Sequence, residues 1–354
     1  MSKSRVRDRF VEAKPNVRRV AAQLTGAPGA GTLSKVTGPL LLLDAASLYF
    51  RAFYGVPDRR ADPNDRPNNA VRGFLEMIAS LLATYSPGGL VACWDDDWRP
   101  AFRVAEVPGY KAHRVSVGPD GLEREDTPPE LDEQVPVIVD ALRAVGIARV
   151  GCPGYEADDV IGTLTERWGS TPERPMPPIR IVTGDRDLFQ LVDDSRQIDV
   201  LYTAKQGVRG AEAIDEAYLR ATYGVDGGSG YADFAILRGD PSDGLPGVRG
   251  VGEKTARALL ESYGDLAGLR AAAADPASAL TASQRTKLLE ASDYLDVAPK
   301  VVLVAKVAPV EQFSPLLPRE VTDVRLLSQL AHEYRLGATF DRLLTALGID
   351  GDGE

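Results

Sequence analysis

Leu40-Leu41-Leu42-Leu43-Asp44 sets four apolar residues in a row and closes them with an acid. A strand with one solvated face would alternate apolar and polar positions. An unbroken apolar run of this length is what a strand buried on both faces of a parallel sheet requires. Leu90-Val91-Ala92-Cys93-Trp94 reads the same way, and Ile179-Arg180-Ile181-Val182 and Ile198-Asp199-Val200-Leu201-Tyr202 also read as strands. Between them, Val71 to Tyr85, Pro129 to Val145 and Ala157 to Trp168 carry helical spacing. This alternation predicts an α/β domain with a mostly parallel central sheet flanked by helices.

The chain has 354 residues, 44% of them hydrophobic and 26% charged, enough for one large α/β domain and a smaller module. Its two cysteines, Cys93 and Cys152, fit neither a disulfide framework nor a zinc ribbon, so a reducing cytoplasm is expected. Two histidines, His113 and His332, are too few for a His-based metal site. No apolar stretch is long enough to span a membrane, and the N-terminus lacks the apolar segment of a signal peptide. The formal net charge of −10 argues at first against a nucleic-acid partner. Net charge describes the whole surface, however, and a binding face can be basic locally. Residues 1–37 read as a flexible basic extension carrying Lys3, Arg5, Arg7, Arg9, Lys14, Arg18, Arg19 and Lys35. Its Gly26–Gly31 run precedes the first strand, and no Gly-Lys-Ser/Thr follows, so it reads as a linker rather than a phosphate loop.

Where the acids sit is more informative than their number. Asp44, Asp95 and Asp185 each follow a strand, and in open parallel sheets the ligand crevice lies at the strands' carboxyl ends. Any one of them could simply cap the next helix. Glu156-Ala157-Asp158-Asp159 crowds three acids into a first helical turn, where the helix dipole accounts for one or two. Thr183-Gly184-Asp185-Arg186-Asp187 and Gly239-Asp240-Pro241-Ser242-Asp243 each put two acids in a tight turn. Nine carboxylates gathered at one sheet edge repel one another unless cations neutralise them. Oxygen ligands with no His or Cys nearby suit hard ions such as Mg²⁺ or Mn²⁺. Two such ions can activate water against a phosphodiester and stabilise its leaving oxygen.

Leu43-Asp44-Ala45-Ala46-Ser47, Trp94-Asp95, Glu156 to Gly162, Val182 to Asp187 and Arg238 to Asp243 resemble the motifs of the flap-endonuclease superfamily. The likeness is greatest to the 5′-nuclease domain of bacterial DNA polymerase I, and it runs from about residue 39 to 347. It implies a PIN-like 5′-nuclease fold over residues 38–230, with a helical arch around 103–130. A helix-hairpin-helix DNA-binding region follows over 231–310, and a segment at 311–350 packs back on the nuclease domain. The resemblance implies Asp44, Asp95, Glu156 and Asp158 at or near one metal, and Asp159, Asp185, Asp187, Asp240 and Asp243 around a second. Asp95, which ends its strand directly, is preferred as the ligand over Asp96. Gly244 stands where the family usually has Asn and is expected to loosen its loop. No polymerase region follows, so a stand-alone nuclease is expected.

In Phe102-Arg103…Tyr110-Lys111-Ala112-His113-Arg114, a basic run would by itself be a solvated face. The resemblance implies that Tyr110 stacks on an unpaired base. Lys111 and Arg114, and less strongly Arg103, would meet the scissile phosphate and stabilise its developing charge. Gly247, Gly250, Gly252 and Lys254 fall in a stretch similar to a helix-hairpin-helix, extended in this family to a helix-three-turn-helix. There glycine amides and a helix N-terminus grip the duplex backbone without reading bases, and the family often places K⁺. The function implied is a 5′→3′ exonuclease and flap endonuclease using two, or three, Mg²⁺ or Mn²⁺ ions. Its DNA substrates would carry 5′ flaps, ends or nicks, with RNA primer strands included, in primer removal and repair. The enzyme would be a monomer in the bacterial cytoplasm, at the nucleoid. Two alternatives are a weakened paralogue that only binds branched DNA, and a PIN-like ribonuclease. The four second-metal acids of the two turns oppose the first, and the helix-hairpin-helix opposes the second.

Overall fold

The computed structural model describes Leu33 and residues 36–60, 62, 65–118 and 120–349. The basic extension at 1–37 therefore lies almost wholly outside the described residues. Strand β1 (Leu40–Asp44) leads into α1 (Ala45–Gly55) and α2 (Asn69–Tyr85), then β2 (Gly89–Trp94) and the short α3 (Ala101–Glu106). A hairpin of β3 (Val115–Val117) and β4 (Glu123–Glu125) follows, then α4 (Pro129–Asp132), α5 (Val135–Val145), β5 (Ala148–Gly151) and α6 (Ala157–Trp168). The domain continues through β6 (Ile179–Thr183), β7 (Ile198–Tyr202), β8 (Glu212–Ile214) and α7 (Glu216–Tyr223).

The main sheet has the order β5-β2-β1-β6-β7-β8. Every pairing in it is parallel except β7 with β8. The apolar runs divide by parity, as a pleated strand demands. Leu40 and Leu42 join Val91, Cys93, Ile179 and Ile181 on one face, against α6. Leu41 and Leu43 join Leu90, Ala92, Trp94 and Val182 on the other, against α1, α2 and α5. Both faces are thus buried, which is why β1 has no polar residue until its end.

Five helices build the module that follows: α8 (Gly227–Arg238), α9 (Glu253–Tyr263), α10 (Leu266–Ala274), α11 (Ala282–Glu290) and α12 (Ser292–Val302). Its apolar residues, among them Phe234, Leu259, Leu269 and Leu295, are continuous with the α6 side of the sheet core. The chain then returns. In α13 (Val324–Glu333) and α14 (Gly337–Leu347), Leu330, Phe340 and Leu343 join the opposite face beside α2 and α5. Arg342 pairs with Glu76, and the Asn68 amide donates to the Tyr334 carbonyl, fixing this return.

One expectation fails here. The segment expected to form a helical arch around 103–130 holds α3, a single 3-10 turn at Ala112–Arg114 and the β3–β4 hairpin. Val115-Ser116-Val117 and Glu123-Arg124-Glu125 pair antiparallel, and β-branched residues separated by a Gly118–Gly121 turn favour that ladder over a helix.

Candidate active site

Three strand ends and one helix head meet at the carboxyl edge of the sheet. Asp44, Asp95, Glu156, Asp158 and Asp185 line a single cavity of about 220 Å³, with Lys111, Arg114 and Glu125 also on its wall. Asp44 caps α1 by accepting from the Ser47 amide (3.1 Å), so the helix-cap reading and the site reading are both correct for it. Its second oxygen accepts from Thr183 Oγ1 (2.7 Å), and the same hydroxyl accepts from the Asp185 amide (2.8 Å). Asp95 accepts from the Ala157 amide at the head of α6 (2.7 Å). Asp96 turns away to pair with Arg149, which leaves Asp95 as the acid facing the cavity.

The electrostatics follow from burial and like charge. Burial, opposed by the Thr183 hydrogen bond and reinforced by Asp95, raises the Asp44 carboxyl to about 7. Burial also lifts Glu156 to about 7 against the pull of Lys111 and Arg103. Asp158 is pushed well above the carboxylate range by burial and then by Asp44 and Asp185. Lys111 Nζ sits 2.9 Å from Glu156 Oε2. Burial opposes its charge, but Glu156, Asp243 and Asp95 outweigh that and hold the ammonium above its usual pKa.

A second group of acids adjoins the cavity. Asp187, Asp240 and Asp243 do not line it, but Asp187 is raised by burial and then by Asp185, Asp243 and Asp240. Arg114 Nη2 reaches Asp243 Oδ1 (2.9 Å), and the Lys111 amide donates to the Asp243 carbonyl (3.0 Å). Gly244 does not loosen this loop. It holds φ +75°, and a Cβ there would stand 2.5 Å from the Gly109 carbonyl oxygen. A glycine is what lets the loop close against Gly109–Lys111.

Three other expectations are corrected. Asp159 is fully buried and faces away from the cavity, its carboxylate spanned by Arg103 Nη1 and Nη2 at 2.7 Å each. It is therefore not among the acids that line the cavity. Arg103, equally buried, points into that pair and offers nothing to a phosphate. Tyr110 is buried with its hydroxyl donating to Glu156 Oε1 (2.9 Å), so its ring is covered and cannot stack on a base. The three residue types were right for the neighbourhood, but the desolvated acids of α6 recruited them as partners. Sequence reasoning also missed Glu125, because Glu123-Arg124-Glu125 looks like a solvated charge run until the hairpin register turns one carboxylate inward. It missed Ser47 as well, whose Oγ accepts from the Gly184 amide (2.8 Å) and ties the first turn of α1 to the Asp185 turn.

Oxygen-only donors that repel one another suit a hard divalent cation. Among the described residues, no three His, Cys, Asp or Glu side chains already converge as a finished ion cage.

In the helical module, α8, the Gly239–Gly252 turn and α9 form the expected helix-hairpin-helix. Its glycines differ in role. Gly247 is buried, and a Cβ there would lie 2.5 Å from the Arg238 carbonyl, so it serves close packing. A Cβ at Gly250 would meet Lys287 Nζ at 3.0 Å. Gly252, which precedes α9, has open space around it, and Lys254 beside it is exposed. Among the described residues, no helix is long and apolar enough to cross a membrane.

The fold and the acid-lined cavity together define a nuclease built on a parallel sheet. A family profile described as 5'-3' exonuclease, N-terminal resolvase-like domain, matches residues 39–224, and one described as 5'-3' exonuclease, C-terminal SAM fold, matches residues 228–323. The chain belongs to the 5'-3' exonuclease family. A 5'-3' exonuclease of Streptomyces coelicolor is 55% identical over 87% of this chain and 99% of its own length. One of Mycobacterium tuberculosis is 45% identical over 87% and 98%. DNA polymerase I of Mycobacterium bovis is 40% identical over 65% of this chain, a region amounting to 24% of that longer protein. Two solved structures share the fold. A bacteriophage T5 flap endonuclease, in a complex with DNA and metal ions, superposes with a TM-score of 0.55 at 15% identity, over 88% of this chain and 98% of that one. The catalytic core of Rad2 with DNA substrate gives 0.54 at 17%, over 93% and 97%.

Proposed function

We propose that this chain hydrolyses phosphodiester bonds in DNA bearing a 5′ flap, end or nick, RNA primer strands included. The observation that carries the reading is the cavity itself: six carboxylates from five separate stretches of sequence, faced by Lys111 and Arg114. Asp44, Asp95, Glu156, Asp158 and Asp185, with Asp187, Asp240 and Asp243 adjoining, would hold two, or three, Mg²⁺ or Mn²⁺ ions. Such ions supply a reactive water at neutral pH and charge stabilisation at the leaving oxygen.

The protein's own groups do the rest. Lys111 and Arg114 already lean on Glu156 and Asp243, so an incoming phosphate competes for cations held at the cavity rim. Cations placed there before substrate arrives would stabilise the charge that develops on the phosphate in the transition state. The open backbone at Gly252, the N-terminus of α9 and Lys254 bind the duplex phosphates downstream, with K⁺ at the Gly247–Gly252 hairpin. Contacts of this kind position DNA without reading sequence. A monomer acting at the nucleoid in primer removal and repair is the setting this activity implies.

The test is a 5′-labelled flap duplex incubated with Mn²⁺ or Mg²⁺, beside a single-stranded RNA and EDTA controls. Cleavage at the flap junction that needs metal and spares the RNA is expected. Metal-independent cleavage, or preference for the RNA, defeats the proposal.

A further inference from the structure

Behind the cavity, rather than in it, lies an ion pair whose two side chains are at most 2% exposed. Arg103, on α3, donates from Nη1 and Nη2 to Asp159 Oδ2 and Oδ1. Its Nε donates to the Val301 carbonyl near the end of α12 (2.9 Å). Asp159 is fully subscribed, because Oδ1 also accepts from the Ala305 amide (2.7 Å) and Oδ2 from the Glu156 amide (3.2 Å). Across the same segment, Gln190 Nε2 donates to the Asp187 carbonyl (2.9 Å) and the Val302 carbonyl (3.0 Å). Gln190 Oε1 accepts from the Val304 amide (3.0 Å). The stretch leaving the helical module at 301–305 is thus fastened on one side to the head of α6 and on the other to the Asp187 turn.

We propose that Arg103 and Asp159, with Gln190 opposite, are positioning residues. They hold Glu156 and Asp187 in register with the exit of the helical module, and Asp159 binds no metal ion. The physical ground is direction. A buried ion pair adds little net stability over apolar side chains of similar volume, whereas its bidentate geometry fixes orientation. An apolar replacement can therefore restore the fold but not the register. This inference rests on the nuclease reading above.

The experiment compares wild type with D159N, R103K and the double variant R103M/D159L. It reads Mn²⁺ stoichiometry by calorimetry without DNA, Tm, and KM and kcat on a 5′-flap duplex. For D159N, wild-type Mn²⁺ stoichiometry is expected, with KM within about twofold and kcat at least tenfold lower. R103K keeps the charge and loses the fork, so kcat should again fall while Mn²⁺ binding stands. The double variant removes both charges but leaves the Ala305 and Glu156 amides and the Val301 carbonyl without these partners, so it should regain part of the Tm lost in D159N and none of the kcat. Loss of one Mn²⁺ equivalent in D159N would make Asp159 a ligand and overturn the proposal. So would wild-type kcat in R103K, or kcat returning with Tm in the double variant. If wild type itself does not cut the flap, the nuclease reading fails instead, and the calorimetry still decides whether Asp159 is a ligand.

Discussion

The carboxylates at the sheet edge form two banks held in different ways. In the inner bank, Asp44, Asp95 and Glu156 each accept from groups far away in sequence: Thr183, the Ala157 amide, and Lys111 with Tyr110, Asp44 keeping the nearby Ser47 amide as well. In the outer bank the turns satisfy themselves. Asp185 Oδ1 accepts from the Asp187 amide (2.9 Å), and Asp240 Oδ1 accepts from the Ser242 amide (2.7 Å) and hydroxyl (2.6 Å). Only Asp243 reaches across, to Arg114. The inner bank is set by the packed core and is fixed once the sheet forms. The outer bank is set by local turns and can adjust without disturbing the sheet.

Removing divalent ions should have the largest effect, because it disables both banks at once. EDTA is expected to abolish flap cleavage and leave flap binding measurable by anisotropy. The chelated protein should also expose the cost of the inner bank. Asp44 and Glu156 have folded-state pKa values raised to about 7, above their unfolded ones. Their contribution to stability is therefore present below the ordinary carboxylate range and is lost as pH rises toward 7. Tm measured in EDTA should fall over that interval, and Mn²⁺ should reverse the fall. A flat Tm would mean that the inner bank is not strained by its own charge.

The next contrast is between single acids. Asp158→Asn, in the inner bank, should lower kcat by about 10³-fold, comparable to losing a transition-state contact. It should also raise Tm of the metal-free protein by relieving repulsion from Asp44 and Asp185. Asp243→Asn, in the outer bank, should cost about 10–100-fold, the range for a group supporting a metal site. Equal losses from the two variants would erase the distinction between banks. Lys254→Ala touches neither. It should weaken flap binding and lower the slope of log affinity against log salt by about one, with kcat unchanged at saturating DNA.

The sheet and most of its helices were legible because both-face burial leaves an uninterrupted apolar run, and Ala157–Trp168 was read to its observed ends. The acids of the cavity were legible because strand ends converge by topology. What could not be read was the direction of each side chain. Asp158 and Asp159 are adjacent, yet a rotation of about 100° around the helix sends one to the cavity and the other to Arg103. Tyr110 was placed in the right neighbourhood, but it joins the apolar core and its hydroxyl pairs with Glu156, 46 residues away. The hairpin at Val115–Glu125 was hidden because a short charged ladder has too little apolar pattern to betray a strand.

Thr183 joins the two banks, and its substitution is the finest probe of how far they are separate. The hydroxyl is fully buried and uses both of its capacities, donating to Asp44 and accepting from the Asp185 amide. Thr183→Val keeps the β-branched shape that the strand needs and removes only this bridge. Asp44 then retains the Ser47 amide, while the Asp185 turn loses its anchor to the sheet. A stability loss of about 1–3 kcal/mol is expected from a hydrogen bond to a charged group, seen as a lower Tm. The kcat on flap DNA should fall only a few-fold, because neither bank loses a carboxylate. A kcat loss as large as that of Asp158→Asn would mean that the banks act as one unit with Thr183 at its hinge. An unchanged kcat with lowered Tm would mean that the outer bank finds its geometry from its own turn.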